Sequence, residues 1–264
     1  MKILVTVKEV AEVEDDFEIS GTEIEETYLE YDLNEWDDYA IEEGVSYAEE
    51  HDDVEVVTVS IGPERSEETI RMGLAKGADR AIRVWDDTLE EADLLDVESK
   101  ADILAAVVEE EDPDLVLSGV QAADDAFGGT GVALADQVGY EWAAVVNGLD
   151  LDADAGVASV HRELEGGVEE LTDVDLPAVL TIQTGINEPR YASLRGIRQA
   201  QSKELDVQSL DDLGLDASVA DSDLDVTDMY EPETESEAEY IEGDAGDQAA
   251  RLADVLREKG VVGE

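Results

Sequence analysis

The chain has 264 residues, 72 acidic and 16 basic, for a net charge of −56. So negative a balance excludes ordinary nucleic-acid binding, because little could neutralise phosphates, and it disfavours anionic membranes. Without cysteine and with only two histidines, the sequence offers no disulfide framework, no thiolate metal site and no zinc cluster. Aliphatic residues are plentiful and the length is ample for a core, so this is no disordered acidic polymer. The acidity speaks of habitat. At about 1 M salt the Debye length is about 3 Å and self-repulsion is screened, so a halophilic protein that loses structure in dilute buffer is expected.

Met1-Lys2-Ile3-Leu4 enters a buried strand over 3–7 with no signal peptide, and no apolar run reaches about 18 residues, so a cytoplasmic protein without membrane insertion is expected. Residues 11–31 alternate weakly and suggest a surface hairpin. Asn34 is placed to cap a helix running to Glu50, with Trp36, Ala40, Ile41, Val45 and Ala48 inward. A strand over 54–61 closes at Gly62-Pro63, and Ser66 is read as the N-cap of a helix ended by Gly77. Further strands are expected at 81–85 and 115–117, with helices centred on 101–108 and within 128–139. Strands alternating with helices define an α/β protein with a doubly wound, mostly parallel sheet. After Ala143 the texture turns to β, with strands at 143–149, 157–162 and 178–182 and a turn at Gly166-Gly167, which reads as a β-hairpin extension of the sheet. Residues 1–205 form the expected α/β domain. Residues 206–264 form a C-terminal arm, with a linker at 231–247 and a last amphipathic helix at 248–258.

Chemistry concentrates in SGVQAADDAFGGTG, Ser118 to Gly131, after a buried strand and before a helix. In an open α/β sheet, ligands sit beyond the carboxyl ends of strands. Gly128, Gly129 and Gly131 let backbone N–H groups approach an anion, and Thr130 adds a hydroxyl. A turn with capping aspartates fits the same pattern. Asp124 and Asp125 suit caps or ribose contacts better than phosphate, and the absence of a Walker lysine argues against a hydrolytic P-loop. No Ser/His/Asp set is visible, and pairs such as Asp15-Asp16, Asp37-Asp38 and Asp86-Asp87 read as solvated surface.

A second stretch departs from the acidic background. From Leu176 to Lys203 the only carboxylate is Glu188, beside Arg190, Arg195, Arg198 and Lys203; at the chain's average, roughly seven or eight acids belong there. Pro189 makes Asn187-Glu188-Pro189 a turn, and Tyr191, Leu194 and Ile197 follow at helical spacing. The pattern fits a core-facing helix or a docking loop with an apolar anchor ringed by arginines.

NEPRYASL followed by R-x-I-x-x-A resembles the recognition loop of electron transfer flavoprotein (ETF) β-subunits. Gly119, Gln121, Ala122, Asp124, Asp125, Thr130 and Gly131 resemble that family's loop for adenosine monophosphate (AMP), with Gly129 where members often have glutamine. Val5-Thr6-Val7-Lys8 resembles the first strand, and Asn34 resembles the asparagine of an N-P motif in which Glu35 replaces proline. Ile61-Gly62-Pro63, Glu68-Thr69-Ile70-Arg71, Gly77-Ala78-Asp79-Arg80 and Val160-His161-Arg162-Glu163 match further segments, in order, over residues 1–205.

The resemblance implies an adenine nucleotide alpha hydrolase-like fold and an electron carrier without catalytic residues of its own. It implies AMP held structurally by Thr6, Asn34, Ile61, the loop residues above, Gly128 and Gly129. It implies flavin adenine dinucleotide (FAD) held mainly by an α-subunit on which the arm docks. A recognition loop over 183–200 would engage flavin dehydrogenases such as acyl-CoA dehydrogenases through Glu188, Pro189, Arg190, Tyr191, Leu194, Arg195, Ile197 and Arg198. The family's flavin-facing tyrosine falls at Val13, near Phe17, so that contact does not carry over. An electron-bifurcating β-subunit with FAD in place of AMP, or a stand-alone adenine-nucleotide-binding protein, are the alternatives.

Overall fold

Aliphatic runs build the frame. In the computed structural model, which describes residues 1–92, 94–232 and 240–261, β1 (Lys2–Thr6) is followed by an excursion of β2 (Glu9–Val13), β3 (Ile19–Ser20), β4 (Glu23–Ile24) and β5 (Leu29–Leu33). Then come α1 (Glu35–Glu50), β6 (Glu55–Ile61), α2 (Glu67–Lys76), β7 (Arg80–Val84), the short α3 (Asp87–Glu90) and α4 (Val97–Glu111). β8 (Leu115–Gly119) and α5 (Thr130–Val138) lead into β9 (Glu141–Asp152), β10 (Val157–Leu164), β11 (Val168–Asp175) and β12 (Ala178–Ile182). The chain continues through α6 (Leu194–Ala200), β13 (Leu205–Gln208) and α7 (Ala245–Glu258).

Nine strands form one sheet in the order β11-β10-β9-β12-β8-β1-β6-β7-β13. Pairing is parallel from β9 through β13, while β10 and β11 extend the sheet as antiparallel hairpins. Successive strand side chains point to opposite faces, and β1 shows the result. Ile3 and Val5 pack with Ile41 and Val45 of α1 and Ile70 and Leu74 of α2. Leu4 packs on the other face with Leu104 and Val107 of α4 and Leu134 of α5. Each fully buried side chain of this kind contributes about 1.5–3 kcal/mol. β1 lies between β8 and β6, so successive connections leave it in opposite directions along the sheet. Such a switch point opens a crevice at the carboxyl ends of the strands.

The sheet alternation, the hairpin extension and the excursion after β1 agree with the sequence reading. Two helix caps do not. Asn34 and Ser66 occupy N-cap positions without a side-chain cap bond; Ser66 Oγ donates to Pro63 O at 2.7 Å instead. The arm also begins later than residue 206. β13 pairs with β7, and Leu210 and Ala220 join the core beside α4. Asp96, the N-cap of α4, accepts from Ser99 N at 2.9 Å and also from Asp223 N at 2.9 Å, tying that segment down. Contacts divide the chain into Met1–Met229 and Tyr230–Glu264. In the second unit α7 is capped by Asp244, whose side chain accepts from Gly246 N and Asp247 N. The expected linker at 231–247 falls partly outside the described residues. No described helix is long and apolar enough to cross a membrane.

Candidate functional site

At the switch point lies a cavity of about 400 Å³. The end of β1 supplies Thr6, Val7 and Lys8, β6 supplies Val59 and Ile61, and β8 with its loop supplies Ser118 to Ala122. Gly128, Gly129 and Thr130 bring in the start of α5, whose N-terminus has no side-chain cap. Trp85, Leu89, Leu95 and Leu104 make an apolar wall that sequence reasoning did not single out. Thr6, Asn34, Ile61, Gly119, Gln121, Ala122, Asp124, Asp125, Gly128, Gly129 and Thr130 all line this one cavity. Gly131 does not. It is packed behind the cavity, where a Cβ would meet the side chains of Thr181 and Ser118, so its contribution is close packing of α5 on the sheet.

The start of α1 stitches the cavity together. Asn34 Nδ2 donates to Gln121 O at 2.9 Å and Asn34 Oδ1 accepts from Ala123 N at 3.3 Å, which is why its side chain is not a helix cap. Asp37 is buried, contrary to its reading as solvated surface. It accepts from Lys8 N at 2.8 Å and Gly119 N at 3.1 Å, joining the carboxyl ends of β1 and β8. Burial pushes its carboxyl up to about 7, against the lowering effect of those N–H groups. Asp86 is structural too, accepting from Thr88 N, Leu89 N and Leu210 N.

Asp124 and Asp125 cap no helix. Lys8 Nζ sits 2.5 Å from Asp124 and 2.8 Å from Asp125, and Lys100 Nζ from α4 sits 2.5 Å from Asp125. Partial burial works against ionisation of Asp125, but its bonds from Lys100 and Lys8 prevail and hold the carboxyl below its usual range. Lys100 was legible in one respect: it is the only base between Arg83 and Arg162.

The cation-rich stretch lies on the other side of α1. Ser193 caps α6, its Oγ accepting from Gly196 N at 3.0 Å. Arg71 of α2 donates to Ala200 O at 2.8 Å, and Lys203 donates to Leu74 O at 3.1 Å and Ala78 O at 2.5 Å. Each of the two helices thus has its carbonyl end satisfied by a cation from the other segment, where the helix dipole favours positive charge. Gly196 permits the approach, since a Cβ there would collide with Ala75 O. Three large apolar side chains face outward: Tyr191 is 97% exposed, Leu194 79% and Ile197 40%. That exposure is not the pattern of a core-facing helix, which would bury them. Tyr191 precedes the helix instead of lying on it.

The three arginines divide. Arg190 is spent within the chain: Nε donates to Glu42 at 2.8 Å, Nη1 to Glu49 at 2.6 Å and Nη2 to Glu42 at 2.9 Å. Glu42 is held below its usual range, burial opposing and the Arg190 bonds prevailing. Arg190 therefore braces the loop on α1 and does not frame Leu194. Arg195 and Arg198 are exposed. Neither has an acidic partner within 4.0 Å among the described residues. Glu188 and Pro189 lie in the turn before them, and Asn187 Nδ2 fixes that turn to Tyr39 O at 3.0 Å and Glu43 at 2.9 Å. Val13, at the end of β2, is exposed.

The fold and cavity define a doubly wound α/β protein with an open crevice at its switch point. Residues 22–213 match the model of the Electron transfer flavoprotein domain. The chain is 47% identical over 264 residues to the electron transfer flavoprotein subunit beta of Methylophilus methylotrophus, covering 98% of each. It is 37% identical over 234 residues to the mitochondrial subunit beta of Arabidopsis thaliana, covering 88% of this chain and 90% of that one. To the human subunit beta it is 34% identical over 259 residues, 97% and 98% covered. The chain belongs to the β-subunit branch of the electron transfer flavoprotein family.

Proposed function

We propose that this chain pairs with an ETF α-subunit, helps to hold that subunit's FAD, and carries AMP in the switch-point cavity. It has no chemistry of its own. It presents Leu194, flanked by Arg195 and Arg198, to flavin dehydrogenases such as acyl-CoA dehydrogenases in the cytoplasm, and electrons pass onward through the flavin to a respiratory-chain acceptor. Residues beyond 229, with α7, dock on the α-subunit. The observation that carries the reading is Leu194, 79% exposed on a helix braced at both ends. A large apolar side chain held rigidly in water, with arginines beside it, has the make-up of an interface hot spot. A shuttle must release its partner at each turnover, so modest affinity with fast dissociation is expected.

The cavity suits the nucleotide by its donors. An apolar wall faces an uncapped helix start, Thr130 and two lysines, which matches a flat base at one end and an anion at the other. The test is to co-express the chain with its α-subunit, denature the purified complex and identify what is released. One FAD and one AMP per heterodimer are expected. Two FAD would favour an electron-bifurcating β-subunit, and a complex without FAD would overturn the reading.

A further inference from the structure

Two lysines face one cavity in a chain that has only 16 bases. Lys8 comes from the two-residue link between β1 and β2, and Lys100 from the first turn of α4. Asp125 Oδ2 receives both, at 2.8 Å from Lys8 and 2.5 Å from Lys100, while Asp125 Oδ1 accepts from Phe127 N at 3.2 Å. Lys100 also lies 4.9 Å from the centre of the Phe127 ring. The Lys100 and Asp125 side chains are only 17% and 16% exposed. Lys8, Lys100, Asp124 and Asp125 sum to zero charge, so this end of the cavity is locally neutral within a strongly acidic protein. An ammonium group has three donors. Lys100 donates one to Asp125, and Lys8 donates one each to Asp124 and Asp125, so both have N–H to spare.

The loop bearing Asp125 is not relaxed. Ala126 has φ +52°, the left-handed region that costs a non-glycine residue about 1 kcal/mol. A lysine-to-aspartate clasp from two separate elements offsets that cost and keeps the loop against the cavity. Gly128 and Gly129 then bring backbone N–H groups to the same cavity.

We propose that Lys100 and Lys8 are ligands for the phosphate end of the nucleotide, and that Asp125 sets the position of both ammonium groups. This rests on the adenine-nucleotide reading above. A phosphate monoester carries about two negative charges near neutral pH, which the spare ammonium donors and the N-terminus of α5 together serve. A cavity of about 400 Å³ lies within the roughly 300–1,000 Å³ seen for small-molecule sites.

The experiment is calorimetric titration of AMP and of adenosine into the dialysed full-length chain in complex with its α-subunit, with Lys100→Met and Lys100→Arg alongside. Lys100→Met is expected to weaken AMP about tenfold while leaving adenosine within about twofold, and Lys100→Arg to recover most of the loss. A role confined to shaping the loop would weaken both ligands alike; that outcome overturns the proposal, as does an unchanged affinity for AMP. If the wild-type complex binds AMP and Lys100→Met binds it equally well, the lysine assignment fails alone. If the wild-type complex takes up neither ligand, the adenine-nucleotide reading fails with it.

Discussion

At the cavity, every cation ends on a carboxylate: Lys8 on Asp124 and Asp125, Lys100 on Asp125. On the segment that carries Leu194 only Arg190 does, through Glu42 and Glu49, while Arg195 and Arg198 have no acid within 4.0 Å among the described residues. In a chain with 72 acids to 16 bases, an unpaired arginine is the rarer arrangement. The contrast separates cations anchored on the chain's own acids, even where a lysine keeps N–H to spare, from cations with no acid of their own. It also predicts which substitutions will be felt as folding defects and which as docking defects.

The largest effect is expected at Arg190, the brace of the segment that carries Leu194. Arg190→Ala strands Glu42, which is buried, and should cost about 2 kcal/mol in denaturant melts, less than a fully buried pair because Glu49 is exposed. A change below about 0.5 kcal/mol would erase the distinction between Arg190 and its neighbours. Leu194→Ala should do the reverse. Stability should stay within about 0.5 kcal/mol, while dehydrogenase-dependent flavin reduction weakens by about 2 kcal/mol, roughly 30-fold. Loss of FAD in the same variant would point to misfolding instead.

Asp37 tests the cavity side. Its folded carboxyl is raised to about 7 from an ordinary 3.8, so the fold favours the protonated form. The stability it contributes is complete below the ordinary value and is lost as pH rises through about 7. Melts at fixed molar KCl should therefore lose about 2 kcal/mol from this group between pH 5.5 and 7.5, and Asp37→Asn should flatten that slope. An unchanged slope would show that Asp37 stays ionised throughout. Smallest is the effect of removing the unpaired cations. Arg195→Ala with Arg198→Ala should leave the melt unmoved and slow association with a dehydrogenase about threefold at the lowest salt at which the wild-type complex stays folded, with the difference vanishing in molar KCl.

The frame was legible because strand periodicity and switch-point topology are local facts repeated along the chain. Ile3 to Val5 and Leu115 to Leu117 are apolar at each position, Val56 to Val59 at all but Thr58, and all are buried. The cavity loop was legible through its glycines and its place after β8. What could not be read were pairings across long separations. Lys100 meets Asp125 only because α4 and the β8–α5 loop share one face of the sheet, and Arg190 meets Glu42 across 148 positions. Nor does the sequence separate a buried aspartate from a solvated one: Asp37 and Asp38 are adjacent, yet Asp37 reaches two backbone N–H groups and Asp38 pairs with Lys76. Asn34 shows the same limit, since an asparagine before a helix can cap it or, as here, reach for a distant loop.

α1 serves both regions. Asn34 and Asp37 at its start hold the cavity, and Glu42 and Glu49 further along hold the loop that carries Leu194. Eight positions separate Asn34 from Glu42, about 12 Å along a helix axis. The rod thus acts as a spacer with a fixed phase. One residue inserted between those two would swing the lower grip by about 100° relative to the upper one, so the two surfaces are geared to each other by a single length of helix.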